Sequence, residues 1–177
     1  EARRQCTEGQ PRACVRAAQL LYHVKGADPE VVDLFKRGCD EKVAEGCNSL
    51  GVLKRAGEGV DRDLNAARTL FQRSCEAALQ LGCYNLAAME LVGEGGAVLV
   101  KAAAGRLLSA CKASEAVACT LLGTLHIEGR GVTQDPARAM GLFHRACREG
   151  DGGGCYNLAQ GHRQGIAGKP DPRKAAN

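Results

Sequence analysis

The sequence predicts an all-α chain, a solenoid of helix pairs about 36 residues long, and three observations predict it. The ten cysteines fall into five pairs with the same internal spacing: Cys6/Cys14, Cys39/Cys47, Cys75/Cys83, Cys111/Cys119 and Cys147/Cys155, each eight positions apart. Successive pairs start 36 residues apart, except the first interval, which is 33. A fixed period of roughly 20 to 50 residues marks supersecondary units that bury their apolar faces on one another. The composition also suits close-packed helices: no Trp, 3% aromatic residues, and Leu and Ala dominating the periodic segments. Strands are argued against by pattern, because, apart from short apolar clusters such as 96–100, no β-branched run alternates with polar residues.

Aligned on the second cysteine of each pair, four segments give helix A: Cys47-Asn-Ser-Leu-Gly, Cys83-Tyr-Asn-Leu-Ala, Cys119-Thr-Leu-Leu-Gly and Cys155-Tyr-Asn-Leu-Ala. Leu50, Leu86, Leu122 and Leu158 recur at one position, and the small Gly51, Ala87, Gly123 and Ala159 that follow admit a neighbouring helix closely. Glycine turns end this helix at Gly57-Glu-Gly59, Gly93-Glu-Gly95 and Gly129-Arg-Gly131. Helix B then opens at Asp63, Asp135 and Asp171, each suited to an N-cap, with Pro136 and Pro172 in the first turn. Ala67, Leu70 and Phe71 match Ala139, Leu142 and Phe143 as an i, i+3, i+4 stripe that runs on to the next cysteine. The third unit departs, with Leu99 for the capping Asp and Arg106 for the Leu, so its helix B is expected to start differently or to pack less well.

This C-x-x-L-G/A … G-x-G … D-x-x-x-A-x-x-L-F framework, closed by C-x7-C, resembles the Sel1-like repeat family, in particular its cysteine-rich bacterial branch. The resemblance covers nearly the whole chain and implies a right-handed, TPR-like α/α solenoid. Residues 1–177 then form one solenoid, with units at approximately 1–13 (partial), 14–46, 47–82, 83–118, 119–154 and 155–177 (partial). Both ends fall inside a unit, with a further cysteine expected at position 183, so continuation of the chain or pairing of its ends is expected. Any leader or anchor would precede Glu1.

A cysteine closing helix B and one opening the next helix A sit where an antiparallel turn brings two helix ends together, so each pair can form a disulfide. Five such bridges persist in an oxidising compartment, which points to the periplasm or to secretion. Thiolate zinc sites usually draw on C-x2-C knuckles, and none occurs; a set of reduced, buried cysteines is the remaining reading.

Charge excludes other classes. The 24 basic and 20 acidic residues are interspersed, no Lys/Arg block alternates with aromatics, and no apolar stretch nears the ~20 residues that span a bilayer, so neither nucleic-acid binding nor membrane insertion is expected. No cofactor is expected. Cysteine-rich members of the family have been linked to penicillin binding, which makes a weak β-lactamase-like enzyme the alternative function, and Ser109-Ala-Cys-Lys112 is an S-x-x-K match. Neither S-D-N nor K-T-G accompanies it, so Ser109 reads as an ordinary helix-end serine and no catalytic residue is assigned. Lys54, Glu90, His126 and His162, each seven residues after a helix-A cysteine, are expected as a polar stack at a helix margin. A metal shared within it is opposed by the spacing of about 8–10 Å between packed helices, against about 2.1 Å for a zinc–nitrogen bond.

The working surface is expected on helix A, which the resemblance places on the concave side. Asn48, Val52, Arg55, Tyr84, Asn85, Ala88, Thr120, Thr124, Tyr156, Gln160 and Arg163 lie opposite the Leu/Gly stripe. Their amides, hydroxyls and arginines suit the backbone of a protein or peptide partner, and the tyrosines supply rigid contact area.

Overall fold

The computed structural model describes residues 1–166 and Gly168; the helix expected from Asp171 and Pro172 lies outside the described residues. Among the described residues there are ten helices and no strand. The chain packs as two compact units, residues 1–98 and 99–177. The first holds α1 (Ala2–Thr7), α2 (Pro11–Lys25), α3 (Pro29–Asp40), α4 (Ala44–Ala56), α5 (Leu64–Glu76) and α6 (Gln80–Val92). The second holds α7 (Val100–Lys112), α8 (Ala116–Glu128), α9 (Pro136–Arg148) and α10 (Gly152–Gln164). Even-numbered helices are the expected A helices and odd-numbered ones the B helices.

The helix starts follow side-chain chemistry. Asp28, Asp63 and Asp135 each accept a hydrogen bond from the backbone N–H three residues on, at Val31, Ala66 and Arg138. The Val31 N–H holds the Asp28 carboxyl below the usual carboxylate range. Helix α7 begins in the same register behind Leu99 but has no side-chain cap, so the departure in the third unit is a missing cap and not a shifted start. Its packing is sound, because Leu107 takes the place of Phe71 and Phe143 and is fully buried. The short first repeat loses its three residues between α2 and α3, where Gly26 to Asp28 replace the longer turns found later.

Two devices repeat in the core. Gly51 lies against Phe71, and Gly123 against Phe143; a Cβ at either position would fall 2.8 or 2.6 Å from the ring. In these two repeats the small residue after the helix-A Leu is therefore a seat for the helix-B aromatic of the same pair. The second glycine of each turn touches the start of the preceding helix B: an added Cβ at Gly59 would meet the Ala27 carbonyl oxygen, at Gly95 that of Leu64, and at Gly131 that of Val100. All three carry positive φ, of +66°, +65° and +70°.

All ten cysteines are paired as expected, and each bridge ties a B helix to the next A helix: α1–α2, α3–α4, α5–α6, α7–α8 and α9–α10. The turn under each bridge has one form. Four residues after the first cysteine, a backbone N–H returns to the carbonyl just before that cysteine, as in Val43→Gly38, Leu79→Ser74, Glu115→Ala110 and Asp151→Ala146, at 2.9–3.1 Å. This closure puts the residue three past the cysteine in the left-handed region. Gly9 and Gly150 occupy it in two repeats, and Lys42, Ala78 and Ser114 in the others, at φ of 62°, 63° and 66°. A non-glycine residue there costs roughly 1–2 kcal/mol, partly offset by the greater flexibility of unfolded glycine. Ala78→Gly is therefore expected to raise stability by up to ~1 kcal/mol, read as a higher midpoint in denaturant unfolding with the bridges intact. A lower midpoint would contradict the strain.

Candidate functional site

The A-helix positions divide between the two units. In the first, Asn85 of α6 donates its amide to Asn48 Oδ1 of α4 at 2.8 Å, which ties two successive A helices across the face. Asn48 itself is buried, 7% exposed, and Val52 is 43% exposed one turn on. Arg55 reaches Glu94 at 2.7 Å, while Tyr84 and Ala88 are half-buried. Asn48 and Val52 line a cavity of about 200 Å³ with Phe35 and Leu53 and with Gln19, Tyr22 and His23 of α2. Tyr22 donates its hydroxyl to Glu58 at 3.0 Å, and that contact holds its phenol above its usual pKa. The helix-A alignment passed over the first repeat, yet Gln19 stands five residues after Cys14, as Val52 stands five after Cys47. Aligning on Cys14 would have found it.

In the second unit, Thr120 donates to Asp151 at 2.5 Å and Thr124 donates to the Thr120 carbonyl, so both hydroxyls are committed within the fold. Asp151 also accepts the Gly154 N–H as the cap of α10, so the Thr120 bond links α8 to the start of α10. Tyr156, Gln160 and Arg163 form a chain of side chains along α10: Gln160 donates to the Tyr156 hydroxyl at 2.8 Å, and Arg163 donates to the Gln160 amide oxygen at 3.0 Å. Tyr156 is 63% exposed, so its ring is held by Gln160 yet open to solvent.

The polar stack needs correction. Glu90 and His126 are buried rather than marginal, and Arg68 of α5 faces Glu90 at 3.8 Å. In these two repeats the position seven residues after the cysteine lies on the side of helix A turned toward the B helices, whereas Lys54 and His162 are half-buried. Ser109 and Lys112 are both exposed on the last turn of α7. Among the described residues no group of three or more His, Cys, Asp or Glu side chains is placed to hold a metal, and no helix is long and apolar enough to cross a membrane.

Glu115 stands where Val43 and Leu79 stand in other repeats, at the start of an A helix, and burial raises its pKa. The folded state thus disfavours its ionised form, a cost present at neutral pH and removed as pH falls below the carboxylate range. Glu115→Gln is expected to raise Tm slightly at pH 7, with the advantage gone near pH 4. An equal gain at both pH values would rule out the charge as its cause.

The family model described as Sel1 repeat matches residues 44–79, 116–151 and 153–177. Comparison with curated proteins gives no match. Among solved structures, a protective antigen present in uropathogenic Escherichia coli strains, described as displaying an SLR fold, is 24% identical with a TM-score of 0.83; the match covers 98% of this chain and 38% of that one. A Sel1 repeat protein from Oxalobacter formigenes is 15% identical with a TM-score of 0.89, over 97% of this chain and 70% of that one. Helicobacter pylori cysteine rich protein B is 22% identical with a TM-score of 0.58, over 75% of this chain and 95% of that one.

Proposed function

The chain belongs to the Sel1 repeat family, a family of helical scaffolds that mediate protein interactions, and we propose that it is an extracytoplasmic scaffold binding a protein or peptide partner through its A-helix face. The observation that carries this reading is the groove of the first unit, where the buried Asn48 amide lies beside the exposed Val52 and the half-buried Tyr22. An apolar wall with a fixed amide suits an extended backbone, whose N–H and C=O groups need partners while a side chain enters the groove. Asn85 holds the Asn48 side chain in one orientation, which lowers the ordering cost of binding. On the second unit the open ring of Tyr156 offers a second anchor.

The five bridges support the extracytoplasmic half of the proposal, since such a density of disulfides persists where the glutathione pool does not reduce them. The test is site-specific photocrosslinking in the native cell. A photoreactive residue in place of Val52 or Tyr156 is expected to give one discrete adduct with a partner protein, and one in place of Lys36 or His144 on the B helices none. Adducts of equal yield at all four sites, or none at Val52 and Tyr156, would overturn the assignment of the face.

A further inference from the structure

A different feature sits on the B-helix side of the second unit. Aligning the B helices by the 36-residue period sets Val32, Arg68, Ala104 and Met140 at one position, opposite the A-helix series Lys54, Glu90, His126 and His162. In α5 the slot is filled: Arg68 faces the buried Glu90 and donates to the Ala97 carbonyl at 3.1 Å. In α9 it is filled again, with Met140 lying so close to Gly161 of α10 that an added Cβ there would collide with its sulfur. In α7 the residue is Ala104, and the slot stands open as a cavity of about 350 Å³ over His126. That volume is within the ~300–1,000 Å³ range of small-molecule sites, which leaves room for a single aromatic side chain.

The chemistry of the cavity is specific. Its wall is Ala104, Gly105, Leu108, Leu122 and Val132. His126, only 6% exposed, also lines it, with Nδ1 3.0 Å from the Thr133 carbonyl. A carbonyl only accepts, so Nδ1 carries the proton and Nε2 of the neutral ring is an acceptor. Among the described residues no other hydrogen bond reaches this ring. Lys101 and Arg138 line the rim, both exposed, while the one carboxylate there, Asp135, is engaged in capping α9 through the Arg138 N–H. Among the described residues the surrounding unit is basic as well: residues 99–166 carry eight Lys and Arg against five Asp and Glu, whereas residues 1–98 carry thirteen against fourteen.

We infer that this cavity is a second docking site, and that its occupant is a tyrosine side chain from an acidic segment of a partner protein. The occupant must carry a hydrogen-bond donor at the end of an apolar shaft. Lys and Arg meet that condition but are repelled by Lys101 and Arg138, and the indole N–H lies on the flank of its ring rather than at the tip. The phenol places its O–H at the tip, toward His126 Nε2, with the ring against Leu108, Leu122 and Val132. Acidic neighbours in the segment then face Lys101 and Arg138. None of these residues belongs to the A-helix face, so either site can fail without the other.

The experiment uses the full, disulfide-intact chain and a capped Glu-Tyr-Glu tripeptide, followed by NMR. The expected result is saturable shifts of the His126 ring and the Ala104 methyl, with binding about three- to tenfold weaker for the Glu-Phe-Glu analogue, which lacks the donor. Ala104→Met, which fills the slot as Met140 does one repeat later, is expected to weaken binding roughly tenfold or more with the spectrum otherwise folded. Should that variant not fold, His126→Leu gives the same reading. Equal affinity for the two peptides, undiminished binding in a folded Ala104→Met or His126→Leu chain, shifts confined to the A-helix face, or no saturable shift would each overturn the assignment.

Discussion

Reduction of the five disulfides is expected to unfold the chain at ambient temperature. Each bridge closes a short loop, and the chain-entropy estimate for such a loop is about 2.5 kcal/mol, so the set contributes on the order of 12 kcal/mol, comparable to the ~5–15 kcal/mol net stability of a whole domain. Little else is available to compensate. The core is built from Ala, Leu and Cys, with two buried Phe in the first unit and one in the second. Each bridge also spans the junction between one repeat's B helix and the next repeat's A helix, and repeat proteins depend on nearest-neighbour interfaces. A single deletion, Cys75→Ala with Cys83→Ala, is expected to cost about 2–3 kcal/mol. Circular dichroism with and without reductant checks both; a reduced chain that keeps its helical signal and melts at the same temperature would refute the estimate. Reduction should also be ordered, with Cys147–Cys155, both half-buried, opening before the fully covered Cys39–Cys47.

Gly59→Ala is expected to be among the most damaging single substitutions in the first unit, although Gly59 is exposed on a turn. At φ of +66° a Cβ costs roughly 1–2 kcal/mol by itself. The new methyl also overlaps the Ala27 carbonyl, a backbone atom that no rotamer change can move, so α3 and the turn must separate, at a further ~1–3 kcal/mol. The total of about 3 kcal/mol is that of a core truncation and far above the ~0.5 kcal/mol of an ordinary surface change. Gly57→Ala is the control: it has the same handedness of backbone, but its nearest neighbour is the Arg62 Cβ at 3.1 Å, a contact that a shift of a few tenths of an ångström relieves. Denaturant unfolding of the two variants separates strain from collision. Equal losses would mean that contact with the preceding repeat contributes nothing.

The difference between those glycines shows what was legible in the sequence. The 36-residue period, the Asp caps, the glycine turns and the cysteine pairing all rest on residue types at fixed separations, which a single chain displays. Leu50, Gly51 and Phe71 could be read as an apolar stripe, though not that the ring of Phe71 sits on Gly51, because seating depends on how two helices cross. Lys42, Ala78 and Ser114 hid the left-handed turn because only Gly9 and Gly150 advertise it. On the A-helix face, sequence spacing gave the direction of Asn48 and Asn85 but not their mutual hydrogen bond, and it gave Thr120 as a free hydroxyl when Asp151 holds it. The cavity at His126 was legible only in comparison, as an Ala where other repeats carry Val, Arg or Met.

The measurement closest to the centre of the account is the thiol state of the protein taken from its native compartment, by alkylation before denaturation, intact mass, and peptide mapping of the bridges. No alkylated cysteine and five bridges are expected, each joining cysteines eight residues apart. Ten alkylated cysteines would contradict that expectation, removing both the oxidising compartment and the covalent ties between repeats on which the proposed scaffold depends.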